Sequence, residues 1–475
     1  MENSVGKLGP MVPSYKSAPL TFQQEAAWNA LAGKESRYIV FALRLTGGLE
    51  VDALRLSIDR VVERHESLRT RMVIVAGEPR QVVAPEKTSE LVVVDISGSQ
   101  TEGVHSVAKS FIEKRYGTGV RLDQGPLFSA TLLRLGRDEH ALALAIDHSV
   151  SDGFSMHILF RELWLSYNQF AANGPSCLSC KPPQYGDYAT WQRSTFLKKK
   201  SENEEYWKIR LAGAAPVRLP ADVVLEDVRP FSAAEMRLSF GDGLSRNLAG
   251  LARNERTTLF LVVLSIFVTH LARWCQQRDV VLWTVHTGRM LPDHVNVIGC
   301  CATGLLLRIV LSGHERFADV LKIVADEYGK AQEHIEFGQI VGRMPELQQT
   351  VGISWLPAEY CTAFENCGIF GIQIFRFARL GDPAGVPIPG QVGRTVPLGI
   401  EPFPVDINVV DGEYQDDSLG FLFSHSSKGI FGHGHYRADL FTAETMHRFS
   451  EEFQRTAEHV VRNPRVPLML AGTKS

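Results

Sequence analysis

Cysteine is scarce and irregularly placed in this chain, with seven in 475 residues and no regular spacing. An odd, scattered set of thiols excludes a disulfide framework. The lone Cys177/Cys180 CxxC lacks the second ligand pair that a structural zinc site needs, so no metal is expected. Reduced thiols in a cytoplasmic protein are the expectation. Excess charge of one sign is also missing. Fifty Lys and Arg against 53 Asp and Glu leave a net charge of −3, so no bulk field favours a phosphate backbone or anionic lipid. A nucleic-acid partner is therefore not expected. Long apolar runs are absent too. The most apolar segment, 257–272, contains Ser265, Thr269 and His270, and its unbroken stretch falls short of the ~20 residues of a membrane span. It reads as a buried core helix feeding a strand that starts at Asp279, and no membrane association is expected. The N-terminus has no apolar core following Lys7, which excludes a secretory signal; it reads as a flexible lead-in. No internal repeat is visible.

What remains is ordinary globular composition, 44% hydrophobic and 22% charged, which excludes disordered and collagen-like chains. At roughly 150 residues per domain, the length allows two or three domains or one two-lobed unit. Thr21 stands ready to cap a helix through Trp28 and Leu31. Tyr38 to Leu45 is β-branched and aromatic, as a strand requires. Leu54, Ile58, Val61 and Val62 share one face of an amphipathic helix over 51–65. Two apolar stretches, 71–75 and 91–94, are separated by turn residues; a charged helix is expected at 104–116 and a hairpin from 127–135 and 141–146. A long helix follows at 154–170. Pro182-Pro183 and the charged run 198–205 read as a linker and a solvated helix. Strand signals recur at 280–285, 304–310, 405–410 and 419–423, helical ones at 315–335 and 443–461, and a Gly/Pro-rich stretch covers 381–404. Mixed elements without regular βαβ alternation predict an α+β (mixed α/β) fold in two lobes.

One stretch carries chemistry. In Ala145-Ile-Asp-His-Ser-Val-Ser-Asp-Gly-Phe-Ser155 an apolar strand ends in Asp147-His148, and a polar turn leads into a helix that Ser151 or Asp152 can cap. That places the His148 imidazole beside helix N–H groups, where a developing oxyanion is stabilised. A single histidine is most often structural; its company changes that reading.

Residues 147–153 resemble the HHxxxDG signature of the condensation-domain superfamily, which includes nonribosomal peptide synthetase condensation domains and relatives of chloramphenicol acetyltransferase. Further segments are similar to that family's motifs in the expected order. Leu20-Thr21-Phe22-Gln23-Gln24-Glu25 comes first, then Arg64-His65-Glu66-Ser67-Leu68-Arg69-Thr70 for RHExLRT. Tyr185 to Trp191 resembles YxDYAxW, and Tyr206-Trp207 through Leu219-Pro220-Ala221-Asp222 resembles YW…LPxD. Ile298 to Thr303 through Arg308 resembles IGxFVNT…R, and Tyr436 to Phe441 matches a late strand-helix junction. The resemblance implies two chloramphenicol-acetyltransferase-like lobes, 1–180 with the His motif and 181–475, in a V-shaped pseudo-dimer with a central tunnel. It implies a free-standing acyltransferase that joins a carrier-bound acyl or aminoacyl donor to an amine or hydroxyl acceptor, with amide and ester both open. The phosphopantetheine arms belong to donor and acceptor carrier proteins, or a small molecule replaces the acceptor; the chain itself binds no cofactor. His148 and Gly153 are the implied catalytic residues. Asp152 is implied to pair with Arg64 and clamp the turn, with Asp147 and Ser155 as further support.

The chain departs from the pattern at two places. Asp147 replaces the first histidine; neighbouring strand residues face opposite ways, so Asp147 is expected inward, away from His148. Asp147, Asp152 and Ser155 also reproduce the DxxxxDxxS spacing of heterocyclisation domains, a second reading in which Cys, Ser or Thr acceptors are condensed and dehydrated. Cys301, Ala302 and Thr303 replace Phe, Val and Asn of IGxFVNT, which makes Cys301 and Thr303 channel candidates, neutral repacking being the commoner outcome of such changes. Two more readings are a coenzyme A- or polyketide-carrier-dependent acyltransferase and a silent recruiting module. Because a thioester is already activated and none of the cysteines has a recognisable partnering motif, direct transfer without an acyl-enzyme is expected.

Overall fold

The structure, a computed structural model, describes residues 16–31, 33–36, 38–85, 91–98, 103–174, 178, 180–223, 233–335, 351–356, 398–403, 419–426 and 429–467. Of the expected Gly/Pro-rich stretch 381–404 only residues 398–403 are described, and the expected strand at 405–410 lies wholly outside the described residues. The chain divides into two compact units. The first comprises described residues up to Arg193 with Leu291–Cys300 and Leu398; the second comprises described residues within 194–290, 301–390 and 399–475. The break thus falls at Arg193/Ser194 and not at 180/181. The reason is local: the helix after Pro182-Pro183 starts at Tyr185, and its first turns carry Tyr185 and Tyr188, both 1% exposed, into the first unit's core.

In the first unit, β1 (Ser17–Pro19), α1 (Phe22–Leu31), β2 (Tyr38–Thr46), α2 (Val51–Arg64), β3 (Thr70–Val75), β4 (Glu78–Val83) and β5 (Leu91–Asp95) are followed by α3 (Val104–Tyr116), β6 (Phe128–Arg134), β7 (Glu139–Asp147), α4 (Gly153–Ala171) and the start of α5 (Tyr185–Arg210). Four strands run in the order β2-β7-β6-β5, antiparallel except for β5 with β6. A smaller antiparallel sheet has the order β1-β4-β3. The expected hairpin is β6-β7; β7 lies between two partners, and it is a continuous apolar run because the residues on both of its faces are buried over most of its length. In α2 the predicted stripe is the buried one, Leu54, Ile58, Val61 and Val62, and it packs on α4. Thr21 caps α1, its hydroxyl accepting from Gln24 N–H while Gln24 Oε1 accepts from Thr21 N–H.

The second unit contains β8 (Ala233–Ser239), α6 (Gly241–Asn254), α7 (Leu259–Trp274), β9 (Asp279–His286), β10 (Thr303–Val310), α8 (Phe317–Glu333), β11 (Val351–Leu356), β12 (Gly399–Pro402), β13 (Leu419–Ser426), β14 (Gly429–Arg437) and α9 (Ala443–Arg462). A six-stranded sheet runs β10-β9-β11-β13-β14-β8, with β11 parallel to both neighbours. The apolar segment is α7, as its composition implied: Thr258 caps it, and Val262–Ala272 is buried against α6, α8 and α9. His270 sits there against Phe449, ring centroids 4.4 Å apart, and burial lowers its pKa to about 3, so it is a neutral core residue. No single described helix is long and apolar enough to cross a membrane; α6 and α7 reach that composition only as a pair bent by 106°. Several quoted segments are structural ties here. Arg308 donates to Asp279 (2.6 Å) and to the carbonyls of Arg210 and Ala212, and Asp222 accepts from Thr442 N–H (2.7 Å) at the start of α9.

Candidate active site

The site is built where β7 gives way to α4. Asp147, the last residue of β7, is 0% exposed, and its N–H donates to Leu127 O at 2.8 Å. Its carboxylate accepts from Ser149 N–H (2.9 Å) and from the Ser149 hydroxyl, capping a 3-10 turn over His148–Val150. Burial pushes the Asp147 carboxyl above the usual carboxylate range, against the opposing pull of the Ser149 and Ser36 hydroxyls. Asp147 therefore points inward, whereas His148 is half-buried at the start of the turn.

Ser151 and Asp152 follow in extended conformation and α4 begins at Gly153, whose N–H belongs to the first turn, where no intrahelical acceptor exists. Asp152 is the N-cap: its Oδ1 accepts from Ser155 N–H and lies 2.8 Å from Ser155 Oγ, an arrangement typically worth about 1 kcal/mol to the helix. Ser155 Oγ also accepts from Gly299 N–H and lies 2.9 Å from Gly299 O, so its single proton serves either the carboxylate or the carbonyl. The signature turn is thereby tied to residues 299–300. Tyr185 completes the tie: its hydroxyl donates to Cys300 O at 2.8 Å and meets Thr21 Oγ1 at 2.9 Å. Its ring covers Gly299 so closely that a Cβ there would fall into the ring, which is why glycine occupies the position. Beyond the tie, Cys300 Sγ lies 3.6 Å from His148 Nδ1.

The expected Arg64–Asp152 pair does not form. Arg64 Nε donates to Glu162 Oε2 at 2.9 Å, and its Nη1 donates to the carbonyls of Leu178 and Cys180. Arg64 ends α2, and α2 packs along α4, so its guanidinium reaches Glu162, about 15 Å along the helix axis from Asp152. His65 Nε2 lies 3.1 Å from the same Glu162 oxygen. Burial alone would raise the Glu162 pKa, but the hydrogen bonds from His65 and Arg64 outweigh it and hold the carboxyl at about 2. Arg64 thus supports the site through the helix that follows the signature, not through its cap.

The structure brings Asp147, His148, Asp152, Gly153 and Ser155 together. Cys301 and Thr303 belong to the second unit, where Cys301 is buried and Thr303 opens β10 opposite His286 in the β9 register. Cys180 is exposed, and Cys177 lies outside the described residues. Among the described residues no group of three or more His, Cys, Asp or Glu is placed to hold a metal ion. Sequence reasoning missed Glu162 and Cys300. A carboxylate on the buried face of α4, four residues after Ile158 and beside Leu163, was a signal for Glu162; the approach of Cys300 to His148 is set by tertiary contacts and left no trace in local pattern.

The site thus consists of a half-buried histidine on a strand-turn-helix junction, five residues before the start of a helix whose capped first turn is tied to Gly299. Residues 15–352 match the family described as the condensation domain, and the chain belongs to that family. It is 32% identical over 332 residues to one component of the linear gramicidin synthase of Brevibacillus parabrevis, covering 68% of this chain and 6% of that protein. With another component of the same synthase it shares 29% over 473 residues, 97% of this chain and 9% of the relative. The chain therefore spans under a tenth of the length of these two relatives. Among solved structures, the first condensation domain of the CDA synthetase is similar with a TM-score of 0.68 at 18% identity, covering 96% of this chain and 99% of that one. That likeness concerns the fold.

Proposed function

We propose that this chain transfers an acyl or aminoacyl group from a carrier-protein thioester to an amine or hydroxyl acceptor, in the assembly of a nonribosomal peptide or related natural product, with His148 as the base. The observation that carries this reading is the placement of a half-buried His148 between a buried, capping Asp147 and the first turn of α4. In the reaction the acceptor's lone pair attacks the thioester carbonyl, and His148 takes the proton the acceptor sheds. The carbon–sulfur bond of the tetrahedral intermediate then breaks, and the proton passes to the departing pantetheine thiolate. The N–H of Gly153 faces the oxyanion, as a first-turn donor. Family membership and relatives that belong to a peptide synthase support this reading. Heterocyclisation is less well supported: Asp152 and Ser155 are occupied in capping α4 and tying Gly299, and Asp147 is turned inward.

The test is reconstitution with acyl-loaded donor carriers and amine- or hydroxyl-bearing acceptors, read by mass spectrometry. His148→Ala is expected to fold and to lose about 10²–10⁴ in turnover, the range for a missing general base. Near-wild-type turnover would remove His148 from the mechanism, and acylation from coenzyme A thioesters alone would replace the carrier reading.

A further inference from the structure

We propose that Cys300 is a positioning residue for His148: its sulfur accepts a hydrogen bond from Nδ1–H and so holds the imidazole in the tautomer whose Nε2 carries the lone pair. The inference rests on reading His148 as the base. A neutral imidazole has one donor and one acceptor nitrogen, and the partner of the first decides the role of the second. Here the nitrogen next to the sulfur is Nδ1, at 3.6 Å. A thiol that instead donated to Nδ1 would leave the proton on Nε2 and remove the base, so only one direction of this contact is compatible with proton abstraction by Nε2.

The sulfur is held in place by the same residues that build the signature turn. Asp152 caps α4 through Ser155, and Ser155 accepts from Gly299 N–H while its hydroxyl lies 2.9 Å from Gly299 O. The next residue is Cys300, whose carbonyl accepts from Tyr185. On the other side, Asp147 caps the turn that carries His148. The backbone on both sides of the Nδ1···Sγ contact is therefore held by hydrogen bonds that begin in the motif. Cys300 itself is 8% exposed, so bulk water does not compete freely for the sulfur.

The experiment uses the full chain with 15N-labelled histidine; ring signals that vanish in His148→Gln identify His148. Wild type and Cys300→Ser, whose hydroxyl also accepts from Nδ1–H, are expected to show the Nδ1–H tautomer. Cys300→Ala is expected to show a mixture, to lose about tenfold in kcat with KM unchanged, and to shift the acid limb of the pH–rate profile, with the serine variant recovering most of the loss. An Nε2–H tautomer in wild type, or an unchanged tautomer in Cys300→Ala, would overturn the proposal. The spectrum reads the contact independently of turnover. If the tautomers behave as stated while His148→Ala still turns over like wild type, it is the base reading that fails and not the contact.

Discussion

Replacing Glu162 by glutamine removes the anion that Arg64 and His65 share, without changing the size of the side chain. The Glu162 and Arg64 side chains are 4% and 9% exposed, so solvent screens their interaction little. The Glu162 pKa falls from 4.5 to about 2 in the folded protein, and at about 1.4 kcal/mol per pKa unit the ionised form contributes about 3 kcal/mol. Breaking a buried pair by removing one partner typically costs about 3–5 kcal/mol, so the two figures agree. For a unit of this size, about 2–4 °C per kcal/mol turns that into a melting temperature lower by roughly 6–12 °C.

The sign of the pH dependence follows from the direction of the shift. Because the folded pKa is depressed, the stabilisation is fully present above the unfolded value of 4.5 and is lost as pH falls through about 2. Thermal unfolding of wild type and Glu162→Gln should thus differ most at neutral pH and converge in strong acid. Arg64→Met combined with Glu162→Met should recover most of the loss, since an apolar pair of similar volume replaces a buried ion pair at little cost. A Glu162→Gln protein that melts with wild type at neutral pH, or a deficit that persists undiminished in strong acid, would refute the reasoning.

Gly299→Ala would drive a methyl group into the Tyr185 ring; overpacking of this kind costs about 1–3 kcal/mol, and differential scanning calorimetry should show the lower Tm together with reduced turnover. A variant with both unchanged would mean the ring yields freely. Asp147→Asn should leave amide or ester formation intact. Since burial raises the folded pKa of Asp147, its stabilisation is present below 3.8 and is lost as pH rises through the folded value; the neutral amide should therefore be at least as stable as wild type at neutral pH. A wild-type product lighter by one water from a Cys- or Ser-loaded carrier, absent with Asp147→Asn, would reverse the ranking against heterocyclisation.

Much of the fold was legible because burial follows periodicity: the α2 stripe, the β6-β7 hairpin and the core helix α7 are patterns of spacing and run length. The strands β4, β8, β11 and β12 and helix α6 were among the elements not anticipated. β4 spells Glu-Pro-Arg-Gln-Val-Val, in which charge and proline hide a strand that two partners nevertheless recruit. The signature turn was legible residue by residue, since capping is local chemistry. The partner of Arg64 was not, because choosing between Asp152 and Glu162 depends on how far α2 runs along α4, a tertiary quantity.

The same division explains how Asp147 can stand where the family signature has a histidine. The residue at this position is the last of a buried strand and must offer an acceptor to Ser149 N–H so that the chain can turn. An imidazole nitrogen or a carboxylate oxygen meets that need equally well. The carboxylate is the costlier choice in a fully buried site, as its raised pKa records, and Ser149 offsets part of the cost by donating twice, from its N–H and from its hydroxyl. What position 147 supplies physically is an acceptor directed inward, and that function leaves the geometry of His148 on the other side of the chain untouched.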